Sequence, residues 1–162
     1  MMKDLEQAPV ASLRTFDFDA FYKATWSDVY RALWVTFRDS DLAQEATDEA
    51  MTRAYQHWSR VRSYRNPAGW VYRVGANWAH NRLRRRRLER DRREPAPTAR
   101  PPEPSGVAEA VRRLPLPQRQ VVVMRLLLDW SELDTAEALD IKPGTVKSRL
   151  SRAVARLREE LE

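Results

Sequence analysis

From Phe18 to Leu83 the apolar residues return every three or four positions, the spacing that lines up one face of an α-helix. Phe18, Phe21, Tyr22, Val29, Tyr30, Leu33, Trp34 and Phe37 mark a first helix. Leu42, Ala46, Ala50, Ala54 and Trp58 mark a second, from Ser40 to Trp58. A third opens after "RNP", where Pro67 suits a first helical turn, and carries Trp70, Val71, Val74, Trp78 and Leu83 before running into arginines. The pattern then stops. "EPAPTARPPEPSG", Glu94 to Gly106, holds five prolines and no large apolar residue, which excludes both helix and core. Read as a linker, it reaches about 40 Å at ~3.1 Å per residue, comparable to a dozen base pairs of DNA. Beyond it lie a short helix near Val107 to Leu114, a second from Pro117, a third in "SELDTAEALD" with Ser131 as its N-cap, and a long terminal helix after Pro143. No alternating strand pattern competes. The expected fold is all-α: an N-terminal tail (1–15), a helical domain (16–93), a Pro-rich flexible linker (94–106) and a helix-turn-helix domain (107–162).

The terminal stretch "IKPGTVKSRLSRAVARLREELE" divides cleanly when its residues are placed at steps of about 100°. Val146, Leu150, Ala153, Val154 and Leu157 form one stripe; Lys147, Ser148, Ser151 and Arg152 fall opposite, with Arg149 and Arg156 flanking. A helix that reads a DNA groove needs this division, one face for its own domain and one for base edges and phosphates. A surface helix balanced by Glu159, Glu160 and Glu162 has the same pattern. Its start is the weak point: Lys142 occupies the N-cap, and Asp140 stands where a turn commonly uses Gly.

Charge adds a location. The net charge is +6, yet residues 61–100 alone carry 12 basic and 3 acidic side chains, densest in "NRLRRRRLERDRR". Such a cluster suits a polyanion, because each neutralised phosphate releases condensed counterions, and it also suits a solvated helix end. Cysteine is absent, so disulfides and thiolate metal sites are excluded, as in a reducing cytoplasm. "MMKDLEQAPVASLRTF" lacks the apolar run of a signal peptide, and no segment approaches ~20 apolar residues, so a soluble cytoplasmic protein without membrane insertion is expected. His57 and His80 are isolated and no Gly-rich phosphate loop occurs. No enzyme activity, cofactor or metal is expected.

Two runs resemble a known family. "LPLPQRQVVVMRLLLDWSELDTAEALDIKPGTVKSRLSRAVARLRE" resembles the promoter-reading last domain of bacterial extracytoplasmic-function (ECF) sigma factors, with "GTVKSRLSRA" its most specific piece. "FDAFYKATWSDVYRALWVTFRDSDLAQEATDEAMTRAYQHWSRVRSYRNPAGWVYRVGANWAHNRLRRRR" resembles their first domain. The resemblance implies an alternative sigma factor that binds core RNA polymerase, directs it to promoter DNA, assists melting, and is commonly held inactive by an anti-sigma factor. It implies that the loop Val61 to Asn66, with Arg62, Ser63, Tyr64 and Arg65, together with Trp70, Arg73 and Asn77, holds a base flipped from the minus-ten strand. Tyr64 would stack on it and the Asn77 amide would pair with its edge. Arg84, Arg85, Arg86 and Arg87 would grip phosphates. Thr145, Lys147, Ser148, Arg149, Ser151, Arg152 and Arg156 would contact the minus-thirty-five element. The second helix, with Asp41, Glu45, Asp48 and Glu49 on an acidic side, would dock on polymerase. The sequence departs from that pattern at Ala46 and Asp48, where Leu and Gln are usual, and at Thr135 and Asp140, where Ile and Gly are usual. The competing reading is a stand-alone helix-turn-helix regulator, in which Asn77 and the arginine-rich third helix have no evident purpose.

Overall fold

The computed structural model describes residues 10–92 and 106–162, with side chains described from Asp17 onward. Residues 1–9 of the expected tail and nearly all of the expected linker lie outside the described residues; residues 10–15, expected as tail, instead form the start of the first helix. The described chain is helical, with no strand among the described residues: α1 (Val10–Phe37), α2 (Ser40–Gln56), α3 (Trp58–Val61), α4 (Pro67–Asp91), α5 (Val107–Arg113), α6 (Leu116–Val122), α7 (Glu132–Leu139) and α8 (Pro143–Leu161).

In the front half, α1, α2 and α4 pack around Val29, Leu33, Leu42, Met51, Val71 and Tyr72. Small residues set the spacing. Ala43, Ala46, Ala50 and Ala54 are all fully buried on one side of α2, and a Cβ added at Gly75 would stand 2.9 Å from Leu33 Cδ1 and 3.2 Å from the Ala46 carbonyl oxygen. Ala46, where the family pattern has Leu, therefore sits where α2 and α4 approach too closely for a large side chain. Asp48, where it has Gln, accepts a 2.9 Å hydrogen bond from the Trp26 indole. Both departures have a packing partner inside this chain.

The second helix ends earlier than its periodicity indicates. It stops at Gln56, and Trp58 opens the single turn of α3. The break lets Trp58 reach the core, where its ring lies 5.3 Å from Phe18 and 4.8 Å from Phe21 and its indole N–H donates to Asp17. An indole buried with its N–H bonded gains contact area without leaving a polar group unpaired. An uninterrupted helix would have carried Trp58 past this site.

Beyond the linker, four consecutive apolar residues on one segment serve three cores. Val121 packs with Ala136 and Val146, Val122 with Val111, Leu114 and Ala153, and Val123 and Met124 join the core of the front half. A helix apolar on all sides is buried on all sides. α6 widens into a π-helical turn over Val123–Leu127, and the Leu128 N–H bonds the Val123 carbonyl at 3.0 Å. The two halves thus share apolar core.

One residue ties them further. The Arg119 guanidinium, on α6, donates to the carbonyls of Thr36, near the end of α1, and of Arg112 and Leu114, at the end of α5. It satisfies the orphan acceptors of two helix C-termini and places a cation at their negative ends. Beside it the Thr36 hydroxyl donates to the Ala32 carbonyl, which leaves the Tyr72 phenol to donate to Thr36 at 2.8 Å. Burial pushes the Tyr72 pKa well above the ordinary tyrosine value, so the phenol remains that donor.

Candidate nucleic-acid interface

Helix α7 starts on Ser131, whose hydroxyl accepts from the Asp134 N–H at 3.0 Å and donates to the Asp134 carboxylate at 2.6 Å. The hydrogen bond from the Ser131 hydroxyl, against an opposing effect of burial and with help from Arg65, holds the Asp134 pKa below the usual carboxylate value. The helix ends on Asp140 at φ 54° and ψ 48°, in the left-handed region. Its closure is a Schellman turn, with the Ile141 N–H bonding the Ala136 carbonyl and the Asp140 N–H the Glu137 carbonyl. Asp tolerates this conformation better than most residues, which is how the turn forms without the Gly of the family pattern. Lys142 then precedes α8 in an extended conformation with no side-chain cap, and Pro143 begins the helix.

Thr135 is fully buried in α7, and its hydroxyl has no hydrogen-bond partner among the described residues. Where the family pattern has Ile, this chain keeps an unsatisfied polar atom. Thr135→Val is nearly isosteric and is expected to raise stability by about 1 kcal/mol, read as a higher urea midpoint at unchanged slope. A lower midpoint would contradict the assignment.

On α8, Val146 and Ala153 are buried and Leu150, Val154 and Leu157 half-buried, while Lys147, Ser151, Arg152 and Arg156 are exposed. Thr145, Ser148 and Arg149 are half-buried at the boundary, and the Ser148 hydroxyl donates to the Thr145 carbonyl at 3.1 Å. The structure therefore brings the basic side chains of this helix to one open side.

The front-half candidates separate into two groups. Tyr64, Asn66, Trp70 and Arg73 line one cleft of about 270 Å³ together with Glu137 and Asp140 of the back half. Asn66 caps α4 by accepting from the Gly69 N–H at 2.9 Å. Arg62 and Ser63 are exposed on the approach; Arg62 pairs with Asp17 at 3.3 Å, and the Ser63 hydroxyl donates to the Arg60 carbonyl. Arg65 pairs with Asp134 at 3.1 Å.

Asn77 lies one turn beyond Arg73 and is exposed. At about 100° per residue, Arg84 and Arg87 fall within roughly 40° of Arg73, on the side of α4 that Asn77 shares, whereas Arg86 points about 140° away. Arg86 faces Asp39 at 3.8 Å, and Arg82 faces Glu45 at the same distance. Arg85 lies between the two sides. Four consecutive arginines thus do not serve one surface.

On α2, Asp41, Glu45 and Asp48 are exposed and Glu49 is half-buried. Glu45, Asp48 and Glu49 have partners in Arg82, Trp26 and Arg53. Among the described residues, no group of three or more His, Cys, Asp or Glu could hold a metal ion, and no helix is long and apolar enough to cross a membrane.

Glu137 and Asp140 are the lining residues that sequence reading did not assign to a site, and Asn66, the last residue of the loop it did assign, serves as a helix cap. The "NP" step before α4 is the signal for an N-cap amide at Asn66. For the two acids no local signal exists, because only the packing of α7 on α4 brings them there.

An all-α chain ending in a helix-turn-helix with an exposed basic second helix is, by class, a DNA-binding transcription protein. Residues 106–157 match the family model described as Sigma-70, region 4. The chain is 33% identical over 165 residues to the ECF RNA polymerase sigma factor SigM of Mycobacterium tuberculosis, covering 95% of this chain and 81% of that protein. To the RNA polymerase sigma-E factor of Streptomyces antibioticus it is 37% identical over 127 residues, covering 74% and 71%. The structure of the sigma factor RpoE from Bartonella quintana, solved in complex with the anti-sigma factor NepR, shares the fold at TM-score 0.71 and 22% identity, over 88% of this chain and 95% of that one. The chain belongs to the ECF RNA polymerase sigma factor family. It is an alternative sigma factor, whose partners are core RNA polymerase and promoter DNA.

Proposed function

We propose that the two halves divide promoter recognition between them. Residues 16–93 act as the region that binds core polymerase and the minus-ten element, residues 107–162 as the region that binds the minus-thirty-five element, and residues 94–106 as the tether. In the front half, Tyr64, Trp70, Arg73 and Asn77 hold a base flipped from the melted strand, with Arg62, Ser63 and Arg65 beside it. Arg84 and Arg87 extend that surface along the phosphates, with Arg85 at its margin and Arg86 behind it. Asp41, Glu45, Asp48 and Glu49 of α2 face polymerase. In the back half, Lys147, Ser148, Ser151 and Arg152 reach base edges, flanked by Thr145, Arg149 and Arg156. The chain has no catalytic activity of its own and works in the cytoplasm, where an anti-sigma factor restrains it. The solved relative bound to NepR supports that last point.

The observation that carries the reading is the open basic side of α8, exposed while its apolar side is buried. Transcription by core polymerase with this chain, on promoters selected from a random library, tests it. Arg152→Ala is expected to relax sequence preference in the upstream element, at a cost of about 1–3 kcal/mol on the preferred sequence. An equal loss on every sequence would make Arg152 a phosphate contact.

A further inference from the structure

The loop that carries Tyr64 hangs from a helix of one turn. α3 has four residues, Trp58 to Val61, and a single turn is not stable by itself, because its nucleation fixes more backbone than its hydrogen bonds offset. Its orientation is therefore set by what it packs on. Trp58 and Val61 are buried, and the indole lies against Phe18 and Phe21 of α1. One side chain of α1 reaches both ends of the turn. The same oxygen of the Asp17 carboxylate accepts from the Trp58 indole N–H at 3.2 Å and pairs with Arg62 Nε at 3.3 Å. Residues four apart share a helix face, so Trp58 and Arg62 present their donors to α1 together. From the end of that turn the backbone is bonded step by step: the Arg62 N–H to the Trp58 carbonyl at 2.9 Å, Ser63 to Arg60 at 3.1 Å and Tyr64 to Val61 at 3.1 Å. The direction of α3 thus fixes where Ser63 and Tyr64 emerge, while Asn66 holds the far end of the loop as the cap of α4.

We infer that Asp17 is a positioning residue for base capture: through Trp58 and Arg62 it sets the rotation of α3, and so the placement of the Tyr64 ring beside Trp70 and Arg73. The inference rests on the assignment of Tyr64, Trp70, Arg73 and Asn77 to the flipped base. It also divides the arginines of the loop, since Arg62 turns toward α1 and is a strut, not a phosphate contact. Both members of the ion pair are about half exposed, at 50% and 46%, so it adds little stability. Its effect is on geometry. Apolar burial of Trp58 and Val61 is non-directional, whereas a hydrogen bond and an ion pair that share one oxygen fix a rotation. A base edge is read only within the narrow distances and angles of a hydrogen bond. Loss of Asp17 therefore costs selectivity before it costs stability.

Asp17→Ala and Asp17→Asn, each in the full chain assembled with core polymerase, test the inference. Promoters selected from a library randomised over the melted element should show the base preference at the flipped position reduced at least about fivefold by Asp17→Ala, and the upstream preference within about twofold of the parent, since α8 is untouched. Asp17→Asn should retain part of the preference, because its amide oxygen still accepts from the indole. The thermal midpoint should stay within about 3 °C of the parent; where Asp17→Ala lowers it further, Asp17→Asn carries the test at a reduction of about twofold. The chain has no native cysteine, so a nitroxide on Ser59→Cys, exposed on α3, reads the turn directly, and its motion should increase in Asp17→Ala. Arg62→Ala should leave the salt slope of single-strand binding nearly unchanged, whereas a lost phosphate contact would take about 0.7 from it. A base preference unchanged in Asp17→Ala but lowered by Tyr64→Ala overturns the inference, as does a salt slope reduced by Arg62→Ala. Failure of the base assignment reads differently: Asp17→Ala loosens the label, yet Tyr64→Ala leaves the preference intact, and the inference falls with the assignment on which it rests.

Discussion

Arg119→Ala is expected to lower the free energy of unfolding by about 3 kcal/mol, a drop of roughly 10 °C in Tm for a chain of this size. The guanidinium reaches three carbonyls on two helix ends, at 2.5 Å to Thr36, 2.5 Å to Arg112 and 2.9 Å to Leu114. Its removal leaves the part-buried Thr36 and Leu114 carbonyls and the exposed Arg112 carbonyl without this donor and takes a cation from two negative helix termini, so the loss exceeds that of one ordinary hydrogen bond. Lysine retains the charge but not the planar fork, and Arg119→Lys should recover less than half of the loss. Urea unfolding of the three proteins measures this. A change below about 1 kcal/mol for Arg119→Ala would mean that water replaces the guanidinium at all three acceptors.

The second large effect concerns salt. With Arg84 and Arg87 both replaced by Ala, holoenzyme binding to promoter DNA should weaken on all sequences. The slope of log K against log salt should shrink by about 1.5 to 2, close to one unit per lost phosphate contact. Arg86→Ala should leave the slope nearly unchanged, because that side chain turns back toward Asp39. The contrast between neighbouring arginines decides the matter. If Arg86→Ala flattens the slope as much as Arg84→Ala does, the cluster acts as a diffuse charge and the helical division of roles is wrong.

Helix existence was readable wherever apolar periodicity was long, as from Phe18 to Phe37 and from Val146 to Leu157, because burying a stripe is the main reason such helices are stable. Local caps were readable too: Ser131 at the start of α7 and Pro67 at the start of α4 satisfy or omit orphan donors within three residues of themselves. The end of α2 was not, since Trp58 has the right period to continue it. What pulls Trp58 out of register is a cluster with Phe18, Phe21 and Asp17, some forty residues away.

The candidate site divides in the same way. The exposed basic side of α8 depends on one helix, so 100° steps were enough to sort Lys147, Ser151 and Arg152 from Val146, Leu150 and Ala153. The four arginines after Leu83 looked like one patch by composition; helical phase puts Arg86 on the far side of α4, and the fold places Asp39 opposite it there. Asp140 and Thr135, departures when compared with the family, became a left-handed helix end and a buried hydroxyl once their backbone and burial were known.

The sequence by itself determined the helices, the Pro-rich break between two groups of them, the charge distribution and the family, because each depends on residues within a few turns of one another or on motifs in order. Only the tertiary structure decided that the two groups share apolar core through Val123, Met124 and Ala138, that Arg119 bridges two helix ends, and that Glu137 and Asp140 line one cleft with Tyr64, Trp70 and Arg73. Those features join residues as far apart as Asn66 and Asp134, at 68 positions, and Thr36 and Arg119, at 83. Non-local contacts leave no period in the chain, since an apolar or acidic side chain reads the same whether it faces solvent, its own domain or its neighbour.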